Sequence, residues 1–180
     1  MRILPGNFNP DASSEKTIEQ IAKALSELGP FAAELGQEVD LEAYGNGGTL
    51  PALRAIMEKV THKSVRVRLN SEGRDSIGKD TRDAKGLEEN FNLVKDYLGR
   101  IVHVYNLKAP RFWIKGDTGL FPYQTLMELL VKANWEGWVL FKGTGKIPSD
   151  RVQAISEQRE IWESMVEKAM KAQSPAKSPA

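Results

Sequence analysis

The sequence predicts an α/β fold in which parallel strands alternate with helices. Three observations carry this. Apolar residues recur at helical spacing in five segments, short strand-like runs fall between them, and the clearest of those runs alternate apolar and polar residues. Four strand–helix alternations in a row, with a possible opening strand at residues 2–4, imply parallel strands joined by crossover helices. Such a sheet is either open and doubly wound or closed as a (β/α)8 barrel. No G-x-G-x-x-G follows the first strand and there is no P-loop, so nucleotide binding has no support.

The elements follow in order. Residues 16–28 put Ile18, Ile21, Ala22, Leu25 and Leu28 on one helical stripe, with Ser13 and Ser14 at the N-cap position and Gly29-Pro30 as the expected stop. Residues 39–42 (VDLE) read as a short strand. A second helix carries Leu50, Leu53, Ile56, Met57 and Val60. Residues 64–70 (SVRVRLN) alternate strictly and are a strand. Leu87, Phe91, Val94 and Leu98 mark a third helix, and residues 101–107 (IVHVYNL) the next strand. A fourth helix carries Leu126, Leu129, Leu130 and Ala133. Residues 137–141 (GWVLF) are a strand, with Trp138 expected to pack in its core. The last helix starts at a Ser149-Asp150 cap and carries Val152, Ile155, Trp162, Met165, Val166 and Ala169. The domain is expected to span residues 1–172, and the Ser/Pro/Ala-rich tail at 173–180 to be disordered.

Composition narrows the function classes. Twenty-five Lys and Arg against 24 Asp and Glu leave a net charge of +1 over 180 residues, which argues against nucleic acid or a membrane surface as partner. No apolar run approaches a membrane span, and the first residues lack the apolar core of a secretory signal, so a cytoplasmic setting is expected. With no cysteine there is no disulfide, thiolate metal site or cysteine nucleophile. His62 and His103 are the whole histidine inventory, and His62 falls in a helix–strand loop away from any barrel mouth.

The strands have a polar face. Glu38, Asp40 and Glu42 share one face, then Arg66, Arg68 and Asn70, then His103 and Tyr105. The opposite faces, Val39 and Leu41, Val65, Val67 and Leu69, Val102 and Val104, are expected under the helices. Acids on one strand beside arginines on the next are expected to neutralise each other.

Several stretches resemble one family. Residues 100–108 (RIVHVYNLK) resemble a strand that reads roughly RIVHVHLKD in the sugar phosphate isomerase/epimerase family, the xylose isomerase-like barrels. Residues 119–123 (GLFPY) resemble that family's GxxDF turn, and residues 133–142 (ANWEGWVLFK) its aGYdGwlviE strand. Residues 39–44 (VDLEAY) resemble lxlEnh, and residues 65–70 (VRVRLN) resemble vgvclD. Order and spacing agree over about residues 1–168. The resemblance implies a partial (β/α)8 TIM barrel, about strands four to eight with their helices. Incomplete edges then imply pairing with another copy or with a missing N-terminal half.

The same resemblance implies a divalent metal, Mn or Mg, held at the barrel mouth by Glu, Asp, His and Glu, with isomerisation or epimerisation of a small carbohydrate or sugar phosphate. Glu42 matches the first ligand and is the implied metal and catalytic residue. Asn70 stands where the family has Asp. Tyr105, or Asn106 in a shifted register, stands at the His position, and His103 matches an earlier His of that strand. Lys142 stands where the final Glu belongs and opposes a cation there. The metal site is therefore expected to be degraded. Lys142 is the second catalytic candidate; Arg68, Asn70, His103, Tyr105 and Trp113 are the substrate-binding candidates. Arg66, Arg68 and Lys142 can instead replace the lost cation and bind a phosphate or carboxylate, or Lys142 can simply pair with Glu42. The Gly45-Asn46-Gly47-Gly48 loop is a further candidate anion cradle. The alternative to an enzyme is a non-catalytic sugar- or anion-binding, or oligomerising, relic of such a barrel.

Overall fold

A computed structural model describes residues 1–8, 10–71, 83–105, 121–142 and 150–173, with the side chains of Tyr105 and Lys142 outside that set. Its five strands, β1 (Arg2–Ile3), β2 (Val39–Glu42), β3 (Val65–Asn70), β4 (Leu98–Tyr105) and β5 (Trp138–Lys142), form one sheet in sequence order, every neighbouring pair parallel. The helices are α1 (Ser14–Glu34), α2 (Leu50–Met57), α3 (Ala84–Val94), α4 (Tyr123–Lys132) and α5 (Arg151–Gln173). Sequential order with parallel pairing is the connectivity of a (β/α) barrel wall, not of a doubly wound sheet, whose strand order reverses at a switch point.

The alternation in the strands sorts the two faces as expected. Val39, Leu41, Val65, Val67, Leu69, Val102 and Val104 are buried beneath Leu25, Leu53, Ile56, Phe91 and Leu126 of the helices. Asp40, Glu42, Arg68 and Asn70 project to the other face and are buried as well.

Several boundaries move, each for a physical reason. The first helix does not stop at Gly29-Pro30 but runs six residues beyond Leu28, to Glu34. Gly29 is there for close approach: a Cβ on it would stand 2.6 Å from the Cβ of His62. The true stop is Gly36, whose φ of 65° permits a Schellman closure. Gly36 N donates to Ala33 O at 2.9 Å and Gln37 N to Ala32 O at 2.8 Å. Val60 lies past the end of α2, which stops at Met57. Leu98, placed by spacing on the third helix, opens β4, because a 3₁₀ turn at Lys95–Tyr97 resets the chain after Val94. Ala133 is the C-cap of α4. The fifth strand starts at Trp138, not Gly137, where a Cβ would meet Arg100 O at 2.3 Å.

Capping holds where it was expected. Ser13 accepts from Lys16 N at 3.2 Å, and Asp150 Oδ1 accepts from Gln153 N at 2.9 Å. Gln173 is the last residue of α5; the rest of the expected tail lies outside the described residues. Trp138 is not a core residue: it is 74% exposed on the polar face of the sheet. The indole that packs there is Trp135, whose Nε1 donates to Gly99 O at 2.7 Å. Among the described residues no helix is long and apolar enough to cross a membrane.

Candidate functional site

Strand register builds a polar cluster at the C-terminal ends of the central strands. Glu42 lies beside Arg68 in the β2–β3 register, and Asn70 beside His103 in the β3–β4 register. Arg2, on β1, lies beside Asp40, two residues before Glu42. These residues converge on one carboxylate. The Arg2 guanidinium grips Glu42 with two bonds, Nε to Oε2 and Nη2 to Oε1, the latter 2.9 Å. Asn70 Nδ2 donates to Oε1 at 2.6 Å. Arg68 Nε stands 3.5 Å from Oε2, and His103 Nδ1 stands 3.5 Å from Oε1. Arg68 Nη2 donates to His103 Nε2 at 2.6 Å, since a guanidinium has no acceptor; that leaves the imidazole proton on Nδ1, facing Glu42.

Electrostatics follow from this arrangement. Burial opposes ionisation of Glu42, which is fully inaccessible, but the adjacent His103 and the hydrogen-bonded, charged Arg2 guanidinium outweigh it and hold the carboxyl at about 2. Asp40 moves the other way: its desolvation outweighs the N-terminal ammonium and Arg68, and its pKa rises. Asp40 Oδ1 has no hydrogen-bond partner among the described residues and is 2.7 Å from where a Cβ on Gly99 would stand. Burial pulls Arg68 below its ordinary value, while Glu42 and Asp40 pull it back.

The structure brings Glu42, Arg68, Asn70 and His103 together. The backbone of Lys142 is in register with Tyr105 on β4, three strands from β2, about 14 Å at ordinary strand spacing, and its side chain lies outside the described residues. Among the described side chains the counter-charges of Glu42 are Arg2 and Arg68. Tyr105 is on the same strand face as His103, its side chain outside the described residues, as are Asn106, Phe112 and Trp113 and residues 72–79. The glycine loop is not an anion cradle. Its amides are engaged: Asn46 N donates to Asn7 Oδ1 at 3.1 Å, Gly47 N to Gly6 O at 3.1 Å and Gly48 N to Gly45 O at 3.1 Å. Phe8 N returns a bond to Asn46 Oδ1 at 2.7 Å, so the loop clasps the β1–α1 connection and fixes the strand that carries Arg2. His62 accepts from Ser64 N at 3.2 Å in the α2–β3 loop, away from the cluster.

Sequence reasoning missed Arg2. A strand of two residues shows no periodicity, and only parallel pairing with β2 reveals that Arg2 faces Glu42.

The cluster does not suit a divalent metal. Mn²⁺ and Mg²⁺ require free oxygen lone pairs from several hard ligands. Here Glu42 accepts from Arg2 and Asn70, and two guanidinium groups flank it. No group of three or more His, Asp or Glu able to hold a metal occurs among the described residues.

No family model and no curated relative matches the chain. Solved structures do. An L-ribulose 3-epimerase superposes with a TM-score of 0.73 at 13% identity, over 95% of this chain and 62% of the other. A 3-keto-D-glucoside 4-epimerase from E. coli gives 0.60 at 23% identity, over 87% and 57%. A xylose isomerase-like TIM barrel protein from Mycobacterium smegmatis, solved in complex with magnesium, gives 0.56 at 22% identity, over 89% and 53%. The likeness establishes the fold, that of a xylose isomerase-like TIM barrel in part. The chain spans less than two thirds of the length of each of these structures.

Proposed function

We propose that this chain binds a small anionic carbohydrate, a sugar phosphate or sugar acid, at the C-terminal ends of its strands, without a divalent metal and without epimerising it. The observation that supports this is the occupation of Glu42 by Arg2, beside Arg68, at the position where the resemblance implies a metal ligand. A guanidinium pair is a fixed cation: it neutralises Glu42, and its planar donors suit phosphate or carboxylate. Arg2, whose side chain is 45% exposed, is the group a ligand meets first, with His103 behind it. Tyr105, Trp113 and Lys142 remain candidates for the rest of the subsite. A sugar skeleton is supported by the fold, shared with proteins described as sugar epimerases.

The test is calorimetric titration of D-fructose 6-phosphate and of D-fructose into the protein, each with EDTA and with Mn²⁺, while sugar composition is followed by NMR. The expected result is binding of the phosphate ester in EDTA, weakened at least about tenfold in Arg2→Ala by loss of a charge-assisted contact, and no new sugar. Conversion of either sugar that depends on Mn²⁺ would overturn the proposal.

A further inference from the structure

Exposed large apolar side chains gather at the two ends of the sheet, with Met1, Leu4, Phe31 and Leu35 at the β1–α1 end. Trp138, Leu140, Phe141, Val152, Ile155 and Met170 belong to β5 and α5; among α2, α3 and α4 only Leu93 is exposed, at 37%. β5 is also an edge: among the described residues it pairs with β4 alone. An unpaired strand with apolar residues on both faces is a template for another strand.

We propose that the β5 edge is the interface between two copies of this chain, paired antiparallel about a two-fold axis through Leu140. Antiparallel pairing centred there is self-complementary, as a two-fold interface must be. Leu140 meets its own copy. Val139 meets Phe141 of the second copy, apolar against apolar. Trp138, 74% exposed, meets Lys142 of the second copy, an aromatic face opposite an ammonium-bearing residue. The dyad also inverts strand direction. It carries the exposed start of α5, Val152 at 76% and Ile155 at 69%, toward the foot of the other copy. A groove of about 400 Å³ lies there, lined by Leu130, Gly137, Val139, Trp162, Val166 and Met170. A net charge of +1 sets no appreciable repulsion between copies.

The sequence makes the test clean, because it contains no cysteine. Directly opposed residues of an antiparallel pair have Cα atoms about 4.5–5.5 Å apart, within disulfide range. Leu140→Cys therefore puts a lone thiol on the dyad, and Leu93→Cys on α3 is the control. Expected are a solution mass twice 20.1 kDa for the unaltered chain, oxidative cross-linking of L140C but not L93C, and a single-chain mass for Trp138→Glu with unchanged helical circular dichroism. A single-chain mass for the unaltered protein at micromolar concentration would overturn the proposal. So would a dimer that L140C fails to cross-link, which would place the contact on the β1 edge or in a head-to-tail arrangement.

Discussion

The middle of the sheet and its two ends are built differently. In β2 and β3 both faces are closed: Val39, Leu41 and Val67 have no accessible surface, and neither has Glu42 on the opposite face. At the ends, Leu4 beside β1 and Phe31 and Leu35 of α1 are exposed, as are Trp138 and Leu140 of β5. Apolar residues of the same types thus sit in two environments. Strand alternation decides which face a residue takes, and neighbours on both sides decide whether that face is covered. The polar cluster belongs to the closed region, which lets a buried carboxylate and two arginines hold one geometry.

The sharpest way to break this contrast is to unbalance the closed region. Glu42→Ala leaves Arg68 buried without its counter-charge, and is expected to lower unfolding stability by about 3–5 kcal/mol in a denaturant titration. A change below about 1 kcal/mol would mean that the cluster is wetter than its burial indicates. The paired comparison comes next. Phe91→Ala, in the core under α3, should cost about 3–5 kcal/mol. Phe31→Ala, at 63% exposure on α1, should cost less than about 0.5 kcal/mol. Equal costs would abolish the distinction between centre and ends.

Acid provides a third lever. The folded pKa of Glu42 lies below its ordinary 4.5, so its contribution is present above pH 4.5 and is lost as pH falls toward 2. The shift to about 2 corresponds to about 3 kcal/mol. Asp40 has the opposite sign, since its pKa is raised and its burial becomes less costly as it protonates. Thermal melts between pH 6 and 2, an interval set by the Glu42 shift, should therefore show a loss of stability that Glu42→Gln removes and that Asp40→Asn enlarges. The end of α1 supplies a further pair: Gly36→Ala should cost about 1 kcal/mol, because φ is 65° there, whereas Gly29→Ala should cost more by collision with His62.

Much of the centre was legible from sequence. The strict alternation in VRVRLN placed Arg68 and Asn70 on one face and Val65, Val67 and Leu69 on the other, as the structure has them. The ends were less so. Gly29-Pro30 carries the local signature of a helix stop, yet packing of Gly29 on His62 and a Schellman closure at Gly36 carry α1 onward. Trp138 reads as core by composition but lies on a strand that pairs on one side only among the described residues, and is exposed. The polar cluster was half legible: Glu42 beside Arg68 follows from adjacent alternating strands. Arg2 could not be found, because parallel pairing over two residues leaves no pattern. Nor could the placement of Gly99, which lets β4 pass over Asp40 where the β3–β4 register slips between Val67 and Leu69.

Under the proposed function a guanidinium pair, not a metal ion, is the resident cation beside Glu42. Isothermal titration of Mn²⁺ into the protein tests it most directly, with Glu42→Ala and Arg2→Ala alongside. No micromolar binding to the unaltered chain is expected. Micromolar binding that Glu42→Ala abolishes would contradict it.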